Sequence, residues 1–299
     1  MDMLNISGLQ KRFCDKEVLK GIELTVPENS IFGFMGKNGA GKTTTMKAIL
    51  GLIKADAGEI TVAGEKVVYG QTGTNRHIGY LPDVPEFYSF MNAREYLTFC
   101  GQITGMKKSE YEERIAKLLT LVGLDGEKHR IKGFSRGMKQ RLGVAQALLN
   151  RPRLLICDEP TSALDPVGRK EILEILLAAK EETTILFSTH ILSDVERICT
   201  DVAFLDHGKI RMQGKLSELK SRYRTEEYLL ELEDHRAVEP LLEAFKNLKQ
   251  AGKCELIFRE DGHTMFDLLT FITEKQIPIL KLERREPTLE SLFMEVVES

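Results

Sequence analysis

The chain has 299 residues, with 42 Lys and Arg against 45 Asp and Glu, and this net charge of −3 gives no basic domain of the kind that marks a nucleic-acid partner. Its hydrophobic share of 42% suits a globular chain with one large core or two domains. It contains no apolar run near the roughly 18–20 residues of a bilayer span, and its opening Met1-Asp2-Met3-Leu4-Asn5 lacks the order of a signal peptide, so a cytosolic protein is expected.

Apolar and polar residues alternate over 3–35 around Gly8, Gly21 and Pro27-Glu28-Asn29, which predicts short antiparallel strands. Phe13 falls in the loop between two of them, where an aromatic can stack on an adenine ring or simply pack as a half-buried loop residue. A strand over 30–35 then leads into Gly36-Lys37-Asn38-Gly39-Ala40-Gly41-Lys42-Thr43-Thr44, and a helix is expected over 43–50. Gly36, Gly39 and Gly41 can take positive φ and turn their N–H groups inward around an anion. Lys42 adds a mobile cation, Thr43 a hydroxyl for a nucleotide-bound Mg²⁺, and the helix its positive dipole end. Strand, glycine-rich loop and helix together read as a phosphate cradle.

A hairpin is expected over 58–68 and a short buried strand over 78–81, ended by Pro82 and followed by Asp83. Residues 92–124 show helical periods, and Ser109-x-x-Glu112 reads as the capping box of the second helix. Before them, Val84 to Met91 holds three aromatics next to two prolines. It is open to two readings, a docking patch or a segment packed under its own loop. Ser135 opens a further helix running to Leu149, and its hydroxyl, the free N–H groups and the dipole make a second anion site.

Leu154-Leu155-Ile156-Cys157 is a continuous apolar strand, as a sheet covered on both faces requires, and it ends in Asp158-Glu159. Carboxylates at such an edge are costly unless they meet a metal or move protons, and it is the edge where α/β sheets bind ligands. Asp165 reads as an N-cap with Pro166 at the first helical position. The next buried strand covers 183–188, and His190 lies just past it at the same edge. Ser193-x-x-Glu196 reads as a helix cap, and 202–205 with 209–212 as edge strands. Past Gly214 the chain turns helical and charged: strands over 228–232, 254–258 and 277–282, helices over 238–249 and 265–274, and a final helix over 289–297. Scattered Cys14, Cys100, Cys157, Cys199 and Cys254, with no C-x-x-C, read as reduced packing residues.

The cradle, the serine-led helix, the strand ending in Asp-Glu and the later histidine, in this order, make the first 215 or so residues resemble an ATP-binding cassette (ABC) ATPase. The resemblance implies an α/β P-loop NTPase cassette, with a parallel-sheet core, an antiparallel β subdomain and a helical insert at about 84–150. This cassette would span 1–214, with a small α+β accessory domain over 215–299. It assigns Gly36 to Thr44 to phosphate binding, Phe13 to the adenine, and Thr43 and Asp158 to Mg²⁺, with Asp83 as a third candidate ligand. Glu159 would be the catalytic carboxylate, Lys42 and His190 would contact the γ-phosphate, and Ser135 and Gly137 would belong to the signature segment.

Three departures stand out. The signature reads Phe134-Ser135-Arg136-Gly137-Met138-Lys139-Gln140, with Arg136 and Met138 unlike the family's LSGGQ pattern, and Asp83 replaces the usual Gln of the Q-loop. Arg136, Met138 and the tail segment Glu286-Pro287-Thr288-Leu289-Glu290-Ser291-Leu292-Phe293 are similar to the bacterial branch that exports drugs, peptides or polysaccharides. The resemblance then implies two copies sandwiching two ATP molecules with Mg²⁺, a separate transmembrane permease, and a place on the inner face of the cell membrane. A soluble cassette ATPase acting on ribosomes or DNA is the second reading, disfavoured by the one cradle and the lack of sustained heptads. A binding module without catalysis is disfavoured because Lys42, Asp158, Glu159 and His190 are all present.

Overall fold

Two kinds of strand build the first part of the molecule, long ones with one face buried and short ones buried on both. The computed structural model describes residues 2–71, 73–222, 227–260, 262–285 and 288–292. The chain forms two units, the first reaching Ser217 and the second running from Glu218 to Leu292.

In the first unit, β1 (Asp2–Phe13) and β2 (Lys16–Pro27) form a long antiparallel pair, alternately buried and exposed along their length. β3 (Ile31–Met35) is buried at every position and belongs to a different, parallel sheet. The expected run of antiparallel strands over 3–35 is thus corrected at its last member. Continuous apolar residues need cover on both faces, and only a sheet flanked by helices supplies it. The cradle follows, then α1 (Lys42–Ile49). β4 (Ala57–Val62) and β5 (Glu65–Lys66) complete the antiparallel sheet in the order β2-β1-β4-β5.

β6 (Ile78–Leu81) precedes the helical insert α2 (Ala93–Ile103), α3 (Lys108–Leu121) and α4 (Arg136–Leu148). Asn92 Oδ1 accepts from the Glu95 N–H and Glu95 Oε2 from the Asn92 N–H, each at 2.9 Å, a capping box at the start of α2 that the sequence reading did not single out. The expected box at Ser109 is displaced: α3 begins at Lys108, and Glu110 reaches back to the Lys107 N–H at 3.3 Å. Then come β7 (Leu154–Asp158), α5 (Pro166–Ala179), β8 (Thr184–Thr189), α6 (Leu192–Ile198), β9 (Asp201–Asp206) and β10 (Lys209–Lys215). Asp165 caps α5 through the Gly168 N–H at 3.0 Å with Pro166 at the first turn, as expected. Ser193 does not cap α6, because that helix already starts at Leu192.

The six-stranded sheet has the order β10-β9-β3-β8-β7-β6. β9 is fully buried and pairs in parallel with β3, so of the two strands expected at the edge only β10 lies there. β8 pairs with both β3 and β7, placing Met35 opposite Thr189 and Asp158 opposite Ser188. The ends of these three strands are therefore level.

The division between units falls within α7 (Leu216–Arg222). The second unit contains β11 (Glu227–Leu232), α8 (Val238–Ala244), β12 (Leu248–Gln250), β13 (Glu255–Arg259), α9 (Met265–Glu274) and β14 (Ile279–Arg284), with an antiparallel sheet in the order β12-β13-β11-β14. The helix expected over 238–249 ends early and its last part is strand β12. Phe245 leaves the helical conformation, with φ −126° and ψ 101°, to pack edge-on against Phe258 and Phe271 in the core. Of the final helix expected over 289–297, only 289–292 lie among the described residues, and these are helical. Glu286, Pro287 and Phe293 of the tail segment fall outside them.

Strand β6 runs so close to α4 that a methyl group on Gly79 would overlap the Ala147 carbonyl. Gly79→Ala must push α4 from the sheet, an overpacking cost of about 1–3 kcal/mol. A lower urea midpoint at unchanged slope is the expected result, and an unchanged midpoint would mean that this contact yields freely.

Candidate nucleotide site

The site starts from the backbone between β3 and α1. Gly39 and Gly41 take φ of 81° and 117°, and the Ala40 N–H donates to Lys37 O at 3.1 Å to close the turn. Gly36 has no positive φ, against expectation. It is needed for close approach instead, since a Cβ there would lie 2.5 Å from Leu205 O. Lys42 is 5% exposed, and its Nζ donates to Gly36 O at 2.6 Å and reaches Lys37 O at 3.4 Å. The ammonium thus sits inside the turn of its own loop.

Carboxylates close round it. Glu159 Oε1 is buried without a hydrogen bond of good geometry and lies 3.1 Å from Lys42 Nζ, while Oε2 pairs with His190 Nδ1 at 2.8 Å. Glu159 has a φ of 50°, a conformation costly for a residue with a side chain. Its N–H is held by Ser188 Oγ at 3.0 Å and Ser188 O at 3.2 Å, so the strain is fixed by the neighbouring strand. Thr43 donates to Asp158 Oδ2 at 2.8 Å and Ser188 to Asp158 Oδ1 at 2.6 Å, orienting both oxygens of a carboxylate that is almost fully buried. Ser188 was read from sequence only as the end of a strand. Its role depends on the β7–β8 register, which no local pattern reveals.

Lys42, Thr43, Asp158, Glu159 and His190 line one open cleft of about 380 Å³, together with Asn38, Gly39, Gly41 and Thr44. Asp83 lines it too. Its side chain is 49% exposed and borders the cleft. Burial raises its carboxyl above the ordinary range; nearby Arg136 opposes this, whereas Asp158 and Glu159 add to it and His190 opposes it. Arg136 Nη2 stands 3.9 Å from Asp83 Oδ1, so two of the departures from the family pattern are neighbours. The Tyr80 hydroxyl is pushed up to about 12, mainly by burial and then by the Asp158 charge.

Some candidates stand elsewhere. Lys37 and Ala40 line an adjoining pocket of about 330 Å³ with Lys16, Lys20 and His207. Phe13 is the last residue of β1 and not a loop residue; it is 45% exposed, lies outside both pockets, and has Lys11 Nζ 5.2 Å from its ring centre. Ser135 caps α4, its Oγ accepting from the Met138 N–H at 3.2 Å, and neither it nor Gly137 lines the cleft.

The arrangement fits a nucleotide with its metal. Gly36 and Gly41 stand where a Cβ would crowd its neighbours, Gly39 and Gly41 hold positive φ, a buried ammonium lies within the turn, and Thr43 and Asp158 offer the hard oxygens that suit Mg²⁺.

Comparison with known proteins agrees. Residues 19–162 match the ABC transporter family, and residues 214–297 match the ATP-binding protein DrrA1-3-like C-terminal domain. An uncharacterized ABC transporter ATP-binding protein of Bacillus subtilis, YxlF, is 40% identical over 99% of both chains. The bacitracin transport ATP-binding protein BcrA of Bacillus licheniformis is 34% identical over 99% of this chain and 97% of its own. A solved ATP-binding subunit of an ABC transporter superposes with a TM-score of 0.65 at 31% identity, covering 74% of this chain and 93% of that one. The chain belongs to the ATP-binding subunits of ABC transporters and carries that family's ATP-hydrolysing cassette. No helix among the described residues is long and apolar enough to cross a membrane.

Replacing Ser188 by Ala removes the donor to Asp158 and the nearer of two acceptors for the Glu159 N–H. Each lost bond to a charged or strained group is worth about 1–2 kcal/mol, so ATP turnover should fall ~10-fold or more with the fold intact. Wild-type turnover in Ser188→Ala would show that Asp158 and Glu159 keep their orientation without it.

Proposed function

We propose that this chain powers a separate transmembrane permease, working as an exporter, through ATP-driven dimerisation of two copies on the cytoplasmic face of the membrane. The carrying observation is the meeting of Lys42, Glu159 and His190 with Thr43 and Asp158 at one sheet edge. The bacitracin transport role named for one relative supports a transport function.

The phosphates of ATP would lie in the turn of residues 36–44, with Lys42 exchanging its loop carbonyls for phosphate oxygens. Glu159 accepts the proton of the attacking water, and His190, bonded to its other oxygen, holds it in place and contacts the γ-phosphate. Thr43 and Asp158 would hold Mg²⁺, with Asp83 as a further oxygen within the cleft; when bound, the ion neutralises phosphate charge. Ser135 and Gly137 sit at the start of α4, away from their own cleft, so they serve the γ-phosphate held by a second copy. Loss of that phosphate releases the two halves from each other.

The segment 84–91 is the permease contact in this reading. Phe87 packs edge-on under Tyr96 at 5.1 Å, while Val84, Tyr88 and Phe90 remain 63%, 50% and 61% exposed. One part of it anchors and the other is presented. The unit after residue 217 is an accessory domain, since every phosphate-site residue precedes it.

Glu159→Gln should retain ATP binding and lose turnover by ~10²-fold or more, as expected for a general base, while Lys42→Ala should weaken binding itself by ~10-fold or more. Wild-type ATPase activity in Glu159→Gln rules out the assigned role. Asp83 supplies the other test, because its charge faces the phosphates when no metal intervenes. ATP titrations with Mg²⁺ and with EDTA should differ more for the wild type than for Asp83→Gln. Equal metal dependence would place the Asp83 charge outside the phosphate site.

A further inference from the structure

Away from the cleft, a second buried carboxylate joins the two loops that supply Glu159 and His190. Asp194 lies in the first turn of α6, four residues after His190, and is 3% exposed. Its Oδ2 accepts from Thr161 Oγ1 at 2.7 Å and its Oδ1 from Arg169 Nη2 at 2.6 Å. Thr161 is 1% exposed and lies two residues after Glu159, in the loop that the Ser162 N–H closes onto Glu159 O at 3.0 Å. Arg169 lies in the first turns of α5, at the far end of the same loop. One carboxylate thus receives both the beginning and the end of the connection from β7 to α5, from a helix that hangs on β8.

We propose that Asp194 is a positioning residue for ATP hydrolysis, setting the loop that carries Glu159 against the turn that carries His190. The inference rests on the assignment of Glu159 as proton acceptor. Glu159 and His190 leave adjacent strands, and their 2.8 Å contact exists only if both exit loops keep one relative placement. The φ of 50° at Glu159 makes that loop one that would relax if freed. A displacement of about 1 Å at such a group costs on the order of 10²-fold in rate. Stability alone does not explain the arrangement. A buried ion pair is often no more stable than apolar side chains of the same volume, whereas its hydrogen bonds fix direction. Asp194 and Arg169 do not line the cleft, so their effect must pass through the two loops.

The test uses the full-length chain, measuring kcat for Mg·ATP and, separately, the affinity of a fluorescent ATP analogue. Asp194→Ala and Thr161→Val should each lower kcat ~10–100-fold while the affinity moves by less than about twofold. The double variant should lose no more than the worse single variant, because both changes cut the same tether. Thr161→Ser, which keeps the hydroxyl, should restore most of the rate. Thr161→Val is nearly isosteric, so it decides the matter even where Asp194→Ala melts too low to assay. A kcat near wild type in Thr161→Val, a parallel loss of affinity, or multiplying losses in the double variant each overturns the proposal. Glu159→Gln measured alongside separates the two readings. If it hydrolyses ATP at the wild-type rate, the function assigned to Glu159 fails, and if it is inactive while Thr161→Val is normal, only the role of Asp194 fails.

Discussion

Strand β8 lies between β3 and β7 in register with both, and that adjacency decides where each charged group at the sheet edge falls. Met35 is level with Thr189, and Asp158 with Ser188. Since a residue rises only about 3.3 Å along a parallel strand, the three chains leave the sheet almost together. The first becomes the phosphate loop, the second presents His190, and the third presents Glu159. None of these groups could sit further back along its strand, because the strands behind them are buried on both faces and, apart from Asp158 at the very end of β7, hold only apolar side chains and hydrogen-bonded hydroxyls.

Electrostatics then tie the cleft together. Lys42 is nearly buried, and an ammonium taken out of water needs acceptors and a counter-charge; it finds the acceptors Gly36 O and Lys37 O and the charge of Glu159 Oε1 3.1 Å away. Asp83, Asp158 and Glu159 bring three carboxyl groups to the same cleft, where Lys42 and His190 both contact Glu159. The raised carboxyl of Asp83 records this crowding, burial being its largest cause and the two other carboxylates adding to it. A divalent cation bound by Thr43 and Asp158 would relieve the same repulsion, which is why metal and nucleotide are expected to bind together.

Local patterns were legible in the sequence and distant pairings were not. Strand, cradle and helix over 30–50 could be read because glycine spacing and apolar runs act over a few residues, and Asp165-Pro166 was read as a cap for the same reason. Ser109 and Ser193 show the limit of that logic. Both fit the capping pattern, yet each lies inside a helix that begins earlier, while Asn92 and Glu95 form the box instead. Ser188, Thr161 and Asp194 acquire their roles only from contacts about 30 residues away in sequence, across strands whose order no motif states. Strand β9 was placed at an edge because the hairpin was visible and its other neighbour, β3, lies far back in the chain.

The two departures Asp83 and Arg136 gain meaning from their proximity. Arg136 is the first residue of α4, where the helix dipole disfavours a cation, and a nearby carboxylate offsets that cost. The pair is half exposed and 3.9 Å apart, so its contribution to stability is about 0–1 kcal/mol at most. Its effect is on charge and placement. Asp83 borders the cleft, Arg136 adjoins Ser135 at the start of α4, and in the proposed function the contact between them would link the chain's own phosphate site to the helix start that serves a second copy. A neutral amide at position 83 would carry no charge to attract Arg136. With aspartate there, the charge that would repel a metal-free phosphate in the proposed site is the same one that draws Arg136 towards position 83.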